Sequence, residues 1–174
     1  MDKSFYNRNP KIVAKDLIGK VIVRKLENGN LLKARIIETE AYFDEKDPAS
    51  WARYGKRRDN AEMWNEAGTI LVKNVHKYFM LNFVTEKKGE ASAVLIRAAI
   101  PLSKNFKGRC HGPGLLTSAL KIDKIFNGKS LFEKNCGLKI VDDGYKFKEG
   151  EIKTSKRIGV KSDLNEELRF YIKG

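Results

Sequence analysis

A chain of 174 residues is long enough for one domain with a true hydrophobic core and short for two. Hydrophobic residues make up 41% and charged residues 33% with no low-complexity stretch, which argues against a disordered chain. Thirty-five Lys and Arg against 22 Asp and Glu leave a formal charge of +13, which fits a polyanionic partner, nucleic acid foremost.

In chain order, Met1 is followed by polar residues and not by an apolar secretory segment, so an intracellular location is expected. Asn9-Pro10 is a helix start, with Ile12, Val13, Leu17 and Ile18 on one face and Gly19 as the stop. The runs Val21 to Leu26 and Leu31 to Tyr42 flank Glu27-Asn28-Gly29-Asn30, where Asn-Gly supplies the positive φ angles of a tight hairpin. Asp47-Pro48 offers a cap and first turn for a short helix over Ala49 to Tyr54, ended by Gly55.

Further β-type runs lie at Thr69 to Val75, Tyr78 to Thr85, Ala91 to Ile100, Leu138 to Val141, Glu151 to Val160 and Leu168 to Ile172, with a short helix over Pro113 to Leu120. The longest apolar stretch, Ala91 to Leu102, is interrupted by Arg97 and falls short of the ~20 residues a membrane-spanning helix needs. No linker or repeat divides the chain. The expected fold is α+β: a single domain over residues 1–174, mostly antiparallel sheet, curled and barrel-like, with a few short helices packed around it. Without a heptad pattern, a monomer is expected.

Cys110 and Cys136 lack CxxC spacing, and His111 beside Cys110 has only His76 as a further histidine, so neither a disulfide framework nor a metal site is expected. Chemistry is better sought in ionisable groups inside apolar strands. Glu38, Glu40 and Tyr42 alternate with Ile37, Thr39 and Ala41, so in a strand all three share a face. Arg97 interrupts Ala93-Val94-Leu95-Ile96-Arg97-Ala98-Ala99-Ile100, and there it needs a carboxylate, Glu38 or Glu40, to offset its desolvation. The plainer alternative is an ion pair that only fixes strand register.

Ile37-Glu38-Thr39-Glu40-Ala41-Tyr42 resembles the signature strand of the alkyladenine (3-methyladenine) DNA glycosylase family. Met63 with Ala67-Gly68-Thr69, Tyr78 with Asn82, Val94 to Ala98, Gly112-Pro113, Leu116, Ala119-Leu120, Arg157-Ile158-Gly159-Val160 and Leu168 to Ile172 extend the likeness in order along nearly the whole chain. The resemblance implies a monofunctional glycosylase of base excision repair. Such an enzyme flips alkylated or deaminated purines out of double-stranded DNA and hydrolyses the N-glycosidic bond with no cofactor. Carried over, Glu40 activates the water, Arg97 helps hold it, the Ile158 backbone carbonyl completes its cradle, and Asn82 shapes the base pocket.

The sequence departs from that family in its pocket and wedge. Where the family has an aromatic wedge on a hairpin, this chain has Val75, followed by His76; the second aromatic wall becomes Val72; and a base-contacting histidine becomes Trp51. Tyr42 and Trp51 could sandwich a purine, or Trp51 could anchor a core. The connection from Pro101 to Gly112 is shorter than is usual, and Gly114-Leu115 stands where Lys or Arg often follows Gly-Pro. Arg57, Arg58, Lys73 and Lys77 are the expected contacts to the DNA backbone. A non-catalytic binder of damaged or distorted nucleic acid built on the same fold is the alternative.

Overall fold

The computed structural model of the chain describes residues 1–104, 106, 108–148 and 150–173. Asn9 caps the predicted helix by accepting the Lys11 N–H, and Pro10 occupies its first position, where a missing N–H loses no bond. This helix, α2 (Pro10–Leu17), is preceded by α1 (Lys3–Tyr6), capped by Asp2 and too short to show any periodicity in the sequence. Together they bury Tyr6, Val13, Ala14 and Leu17.

Eight antiparallel strands follow among the described residues: β1 (Val21–Lys25), β2 (Leu31–Tyr42), β3 (Ile70–Val75), β4 (Tyr78–Val84), β5 (Ala93–Pro101), β6 (Leu138–Val141), β7 (Ile152–Ser155) and β8 (Arg169–Ile172). The sheet order is β3-β4-β5-β2-β1-β6, with β8 against β2 and β7 against β8. β2 is the organising strand. β5 runs along one of its edges, while the other edge is divided between β1 over Leu31–Arg35 and β8 over Glu38–Glu40. That division, with register shifts between Ile36 and Thr39, curls the sheet into a half-barrel and leaves the second half of β2 inside the curl. The expected α+β class and antiparallel sheet are what the structure has.

The two faces of the sheet are covered differently. On one, α2 and α3 (Pro113–Leu120) press Val13, Leu17, Leu116 and Leu120 onto Ile22, Ile36, Val72, Phe83, Val94 and Ile96 to form the main core. On the other lies a smaller cluster of Ala52, Met63, Leu71, Val84, Ala91 and Ala93, with Trp51 and Trp64 packed against it. Strand alternation accounts for the split, since Ile70 and Val72 enter the first cluster and Leu71 the second.

Three local expectations are corrected. Ala49 to Tyr54 is a series of turns, with Ser50 N–H to Asp47, Arg53 N–H to Ser50 and Gly55 N–H to Ala52, and not a helix. Glu151 to Val160 is a strand only over Ile152–Ser155; the remainder leaves the sheet. In the hairpin between β1 and β2 only Gly29 takes a positive φ, +82°. The bonds Leu26 N–H to Asn30 and Gly29 N–H to Leu26 make it a three-residue loop, which needs one left-handed residue where a two-residue turn needs two. Within the Pro101 to Gly112 connection, Asn105 and Lys107 lie outside the described residues. No described helix is long and apolar enough to cross a membrane.

Candidate active site

Directly paired residues of antiparallel strands point to the same face. Leu71 pairs with Asn82, Asn82 with Leu95, Leu95 with Glu40 and Glu40 with Arg169, so these five form one row across β3, β4, β5, β2 and β8. The row lies on the face away from the main core. Glu38 and Tyr42, two residues either side of Glu40, join it, as the alternation in the sequence requires.

Arg97 reaches this row through a bulge. Glu38 pairs with Ala98 and Thr39 with Ile96, which leaves Arg97 as the extra residue of β5. Its Nε donates to Glu38 Oε1 at 3.0 Å and its Nη1 to Glu40 Oε2 at 3.3 Å. Both carboxylates considered in the sequence are therefore its partners. Arg169 donates to the same Glu38 oxygen at 2.7 Å from the opposite side, so Glu38 joins two guanidinium groups.

Glu40 has no exposed side-chain surface. Its Oε1 accepts the Ile158 N–H at 2.8 Å, and its Oε2 accepts the Tyr42 hydroxyl at 2.8 Å as well as Arg97. Burial raises the carboxyl above its ordinary 4.5, while Arg97, the Ile158 amide and the Tyr42 hydroxyl pull it back and Glu38 adds to the rise. Burial and the neighbouring Glu40 also raise the Tyr42 phenol, which therefore stays a donor. A carboxylate has about four acceptor sites, and the three donors leave one that could orient the O–H of a water. With no exposed surface, Glu40 meets a water only when one of the groups over it shifts. Arg97 and Glu38 beside it keep 13% and 17% of their side chains exposed.

Against the Tyr42 ring lies Arg157, whose guanidinium carbon is 4.5 Å from the ring centre. Nη1 donates to the Ala41 carbonyl (2.9 Å) and Asp47 Oδ2 (2.6 Å), and Nη2 to Asp47 Oδ1 (2.7 Å) and Asp163 Oδ1 (2.6 Å). Nε adds a bond to Asp163 Oδ1 at 2.9 Å. Arg157 and Asp47 both have fully buried side chains. Asp47 also accepts the Phe43 and Ala49 N–H groups, so the carboxylate read as a helix cap organises a loop and an ion pair instead.

The remaining predicted residues divide sharply. Asn82 stands in the Glu40 row, with its Nδ2 on the carbonyls of Leu71 (3.3 Å) and Met80 (3.1 Å). Trp51 is half-buried on the smaller cluster of that same face, its carbonyl held by Asn60 Nδ2 at 2.8 Å. Val72 points the other way, into the main core, and Leu71 holds the corresponding place on the site face. Ile158 meets Glu40 through its N–H, a contact separate from the carbonyl that the family resemblance assigns to the water.

Val75 pairs with Tyr78 at the end of the β3–β4 hairpin, and His76 and Lys77 form its exposed tip, with His76 at φ +54°. Arg57 and Arg58 are exposed, Arg57 lying 3.6 Å from Asp59. Lys73, by contrast, is only 9% exposed, donates to the Asp59 carbonyl and lies 4.9 Å from the centre of the Trp51 ring. Four residues that organise the site were missed: Arg169, Arg157, Asp47 and Asn60. Arg169 carries the same signal as Arg97, a guanidinium in an apolar strand. Asn60, with no exposed surface, is an ordinary polar residue in a polar stretch and gives no signal.

The half-barrel thus buries one carboxylate, Glu40, among a phenol, a guanidinium and a backbone amide on one face of its sheet. Comparison with known proteins gives the family. The profile of the family Methylpurine-DNA glycosylase (MPG) matches residues 4–174. A protein of Aeropyrum pernix assigned as a 3-methyladenine DNA glycosylase is 38% identical over 100% of this chain and 90% of its own length. Proteins assigned the same name in Clostridium perfringens and Legionella pneumophila are 37% and 39% identical, covering 99% and 98% of this chain and 95% and 93% of theirs. The chain belongs to the methylpurine-DNA glycosylase family.

Proposed function

We propose that this protein hydrolyses the N-glycosidic bond of damaged purines, alkylated or deaminated, in double-stranded DNA, with Glu40 as general base. The observation that carries the proposal is the fully buried Glu40 carboxylate, held by Ile158 N–H, Tyr42 O–H and Arg97 on one face of the sheet in a chain of this family. Breaking the bond between C1′ and the base nitrogen sends the electron pair to the base and builds positive charge on the sugar. A water, admitted to Glu40 when a group covering the carboxylate shifts, adds to C1′ and its proton passes to Glu40, whose negative charge also stabilises the developing cation. An alkylated purine is already a good leaving group, so water, position and field suffice for it; a neutral, deaminated purine also takes up a proton from solvent water as it leaves.

A base in a duplex is reached by flipping, which costs a few kcal/mol and less at damaged sites. In this reading Tyr42 and Trp51 hold the extruded base, which is supported by the Arg157 guanidinium against the Tyr42 ring and by Asn82 in the same row as Glu40. The hairpin end at Val75 and His76 fills the gap left in the stack, a role supported by its exposed tip. Exposed Arg57, Arg58 and Lys77 supply charge for the phosphates.

The test is to incubate the protein with duplex DNA carrying methylated or deaminated purines and then to heat in alkali, which cuts the strand at abasic sites. Strand cuts at the damaged purines are expected. Tight binding to the damaged duplex with no cuts would instead favour the non-catalytic binder.

A further inference from the structure

Two loops separated by about a hundred residues are tied to one guanidinium. The segment 156–163 carries the Ile158 amide that bonds Glu40, and the loop 43–60 carries Trp51, four residues after Asp47. Arg157 grips the first through Asp163 and its own backbone, whose N–H also donates to Asp163 Oδ2 at 3.1 Å. It grips the second through both oxygens of Asp47, and between the two it covers the ring of Tyr42. A forked guanidinium with five donors suits that task, and a lysine ammonium, a point charge, does not. Such a complete set of partners in a fully buried pair is more than strand register requires.

We infer that Arg157 is a positioning residue for the reaction: without touching the substrate, it holds the Ile158 amide on Glu40, the Tyr42 ring against Glu40, and the Trp51 loop in one arrangement. This inference rests on the reading of Glu40 as the base. It gives Arg157 an effect that a purely structural ion pair lacks, because the amide it positions favours the ionised form of Glu40. The charged and titratable groups around Glu40 are Glu38 and Tyr42 on β2, Arg97 on β5, Arg169 on β8 through Glu38, and Arg157 across the Tyr42 ring.

Removing Arg157 outright leaves Asp47 buried without a partner and threatens the fold. Asp163→Asn is the milder change, since Asp163 keeps 15% of its side chain exposed and the Asp47 pair stays intact. Arg157→Lys is the second variant, keeping the charge beside Tyr42 while giving up the fork. Two measurements on the full chain decide the matter: the titration of the Glu40 carboxyl carbon and of the Ile158 amide by NMR, and excision kinetics on methylated duplex DNA.

Both variants are expected to move the Glu40 titration to higher pH and to uncouple the Ile158 amide from it. Turnover is expected to fall about tenfold or more, the scale of a small misplacement of reacting groups, with KM changed by about twofold or less in Asp163→Asn, where the Asp47 pair that holds the Trp51 loop is intact. An unmoved Glu40 titration in folded variants overturns the inference, even if both melt at lower temperature. Absence of excision by the wild-type protein would refute the glycosylase reading separately, and the NMR titration would still decide whether Arg157 controls Glu40.

Discussion

Ile158 donates its backbone N–H to Glu40 Oε1 at 2.8 Å, a bond between residues 118 positions apart in the chain. The amide comes from a segment that has already left the sheet. β2 supplies the carboxylate and the phenol, β5 the guanidinium, and the departure of the chain from the sheet after Ser155 supplies the amide. The site is thus an outcome of one strand ending early.

Burial raises the Glu40 carboxyl above its ordinary value, and a general base acts only when ionised. Excision therefore falls on acidification through that raised value, earlier than an exposed carboxylate would allow. The stability effect has the opposite sense. A carboxyl raised in the folded protein favours folding most below its unfolded value, and that contribution is lost as pH rises through the folded value. A profile of kcat/KM against pH with its acid limb above 4.5 is expected, and a limb at or below that value contradicts it.

Arg97 offers a stability test. Its partner Glu40 is fully buried, so Arg97→Ala leaves a charge with no guanidinium beside it, a change that destabilises folding by about 3 kcal/mol. Urea denaturation at neutral pH measures this. A loss below about 1 kcal/mol would put the pair among weak surface bridges.

The placement of Lys73 separates surface charge from buried charge. Lys77→Ala and Arg58→Ala are each expected to reduce the slope of log affinity for DNA against log salt by about 1. Lys73→Met, which removes an ammonium held by the Asp59 carbonyl, is expected to leave that slope unchanged. A reduced slope for Lys73→Met would show that it reaches a phosphate.

These differences show what the sequence made legible. Alternation alone placed Glu38, Glu40 and Tyr42 on one face, and an arginine inside an apolar strand pointed to Arg97, because both signals are local and the strands are long. Val72 was misplaced because its face depends on the register of β3 with β4, set by the pairs Leu71 with Asn82 and Val75 with Tyr78 and by nothing in β3 itself. Asp47 was read as a helix cap because its sequence neighbours fit one; its carboxylate is claimed instead by Arg157, 110 residues away. The same long-range pair explains the shortened strand, since Arg157 turns into the site after Ser155. Lys73 and Lys77 look alike in sequence, and only the packing of Trp51 and Asp59 distinguishes them.

At the hairpin tip, Val75 is half-buried and small for a wedge. Val75→Tyr adds a ring that can stack on a base, and tighter binding to a duplex with an abasic site, by about 1 kcal/mol or more, is expected. Gel-shift titration measures it, and equal affinity would remove the hairpin end from the DNA interface.

The central claim is that one buried carboxylate activates the water. Single-turnover excision of a methylated purine by Glu40→Gln, compared with wild type at saturating protein and with binding to the same duplex measured alongside, tests it most directly. A rate lower by roughly 10² to 10⁴ with binding retained is the predicted result. Excision by Glu40→Gln at the wild-type rate would contradict it.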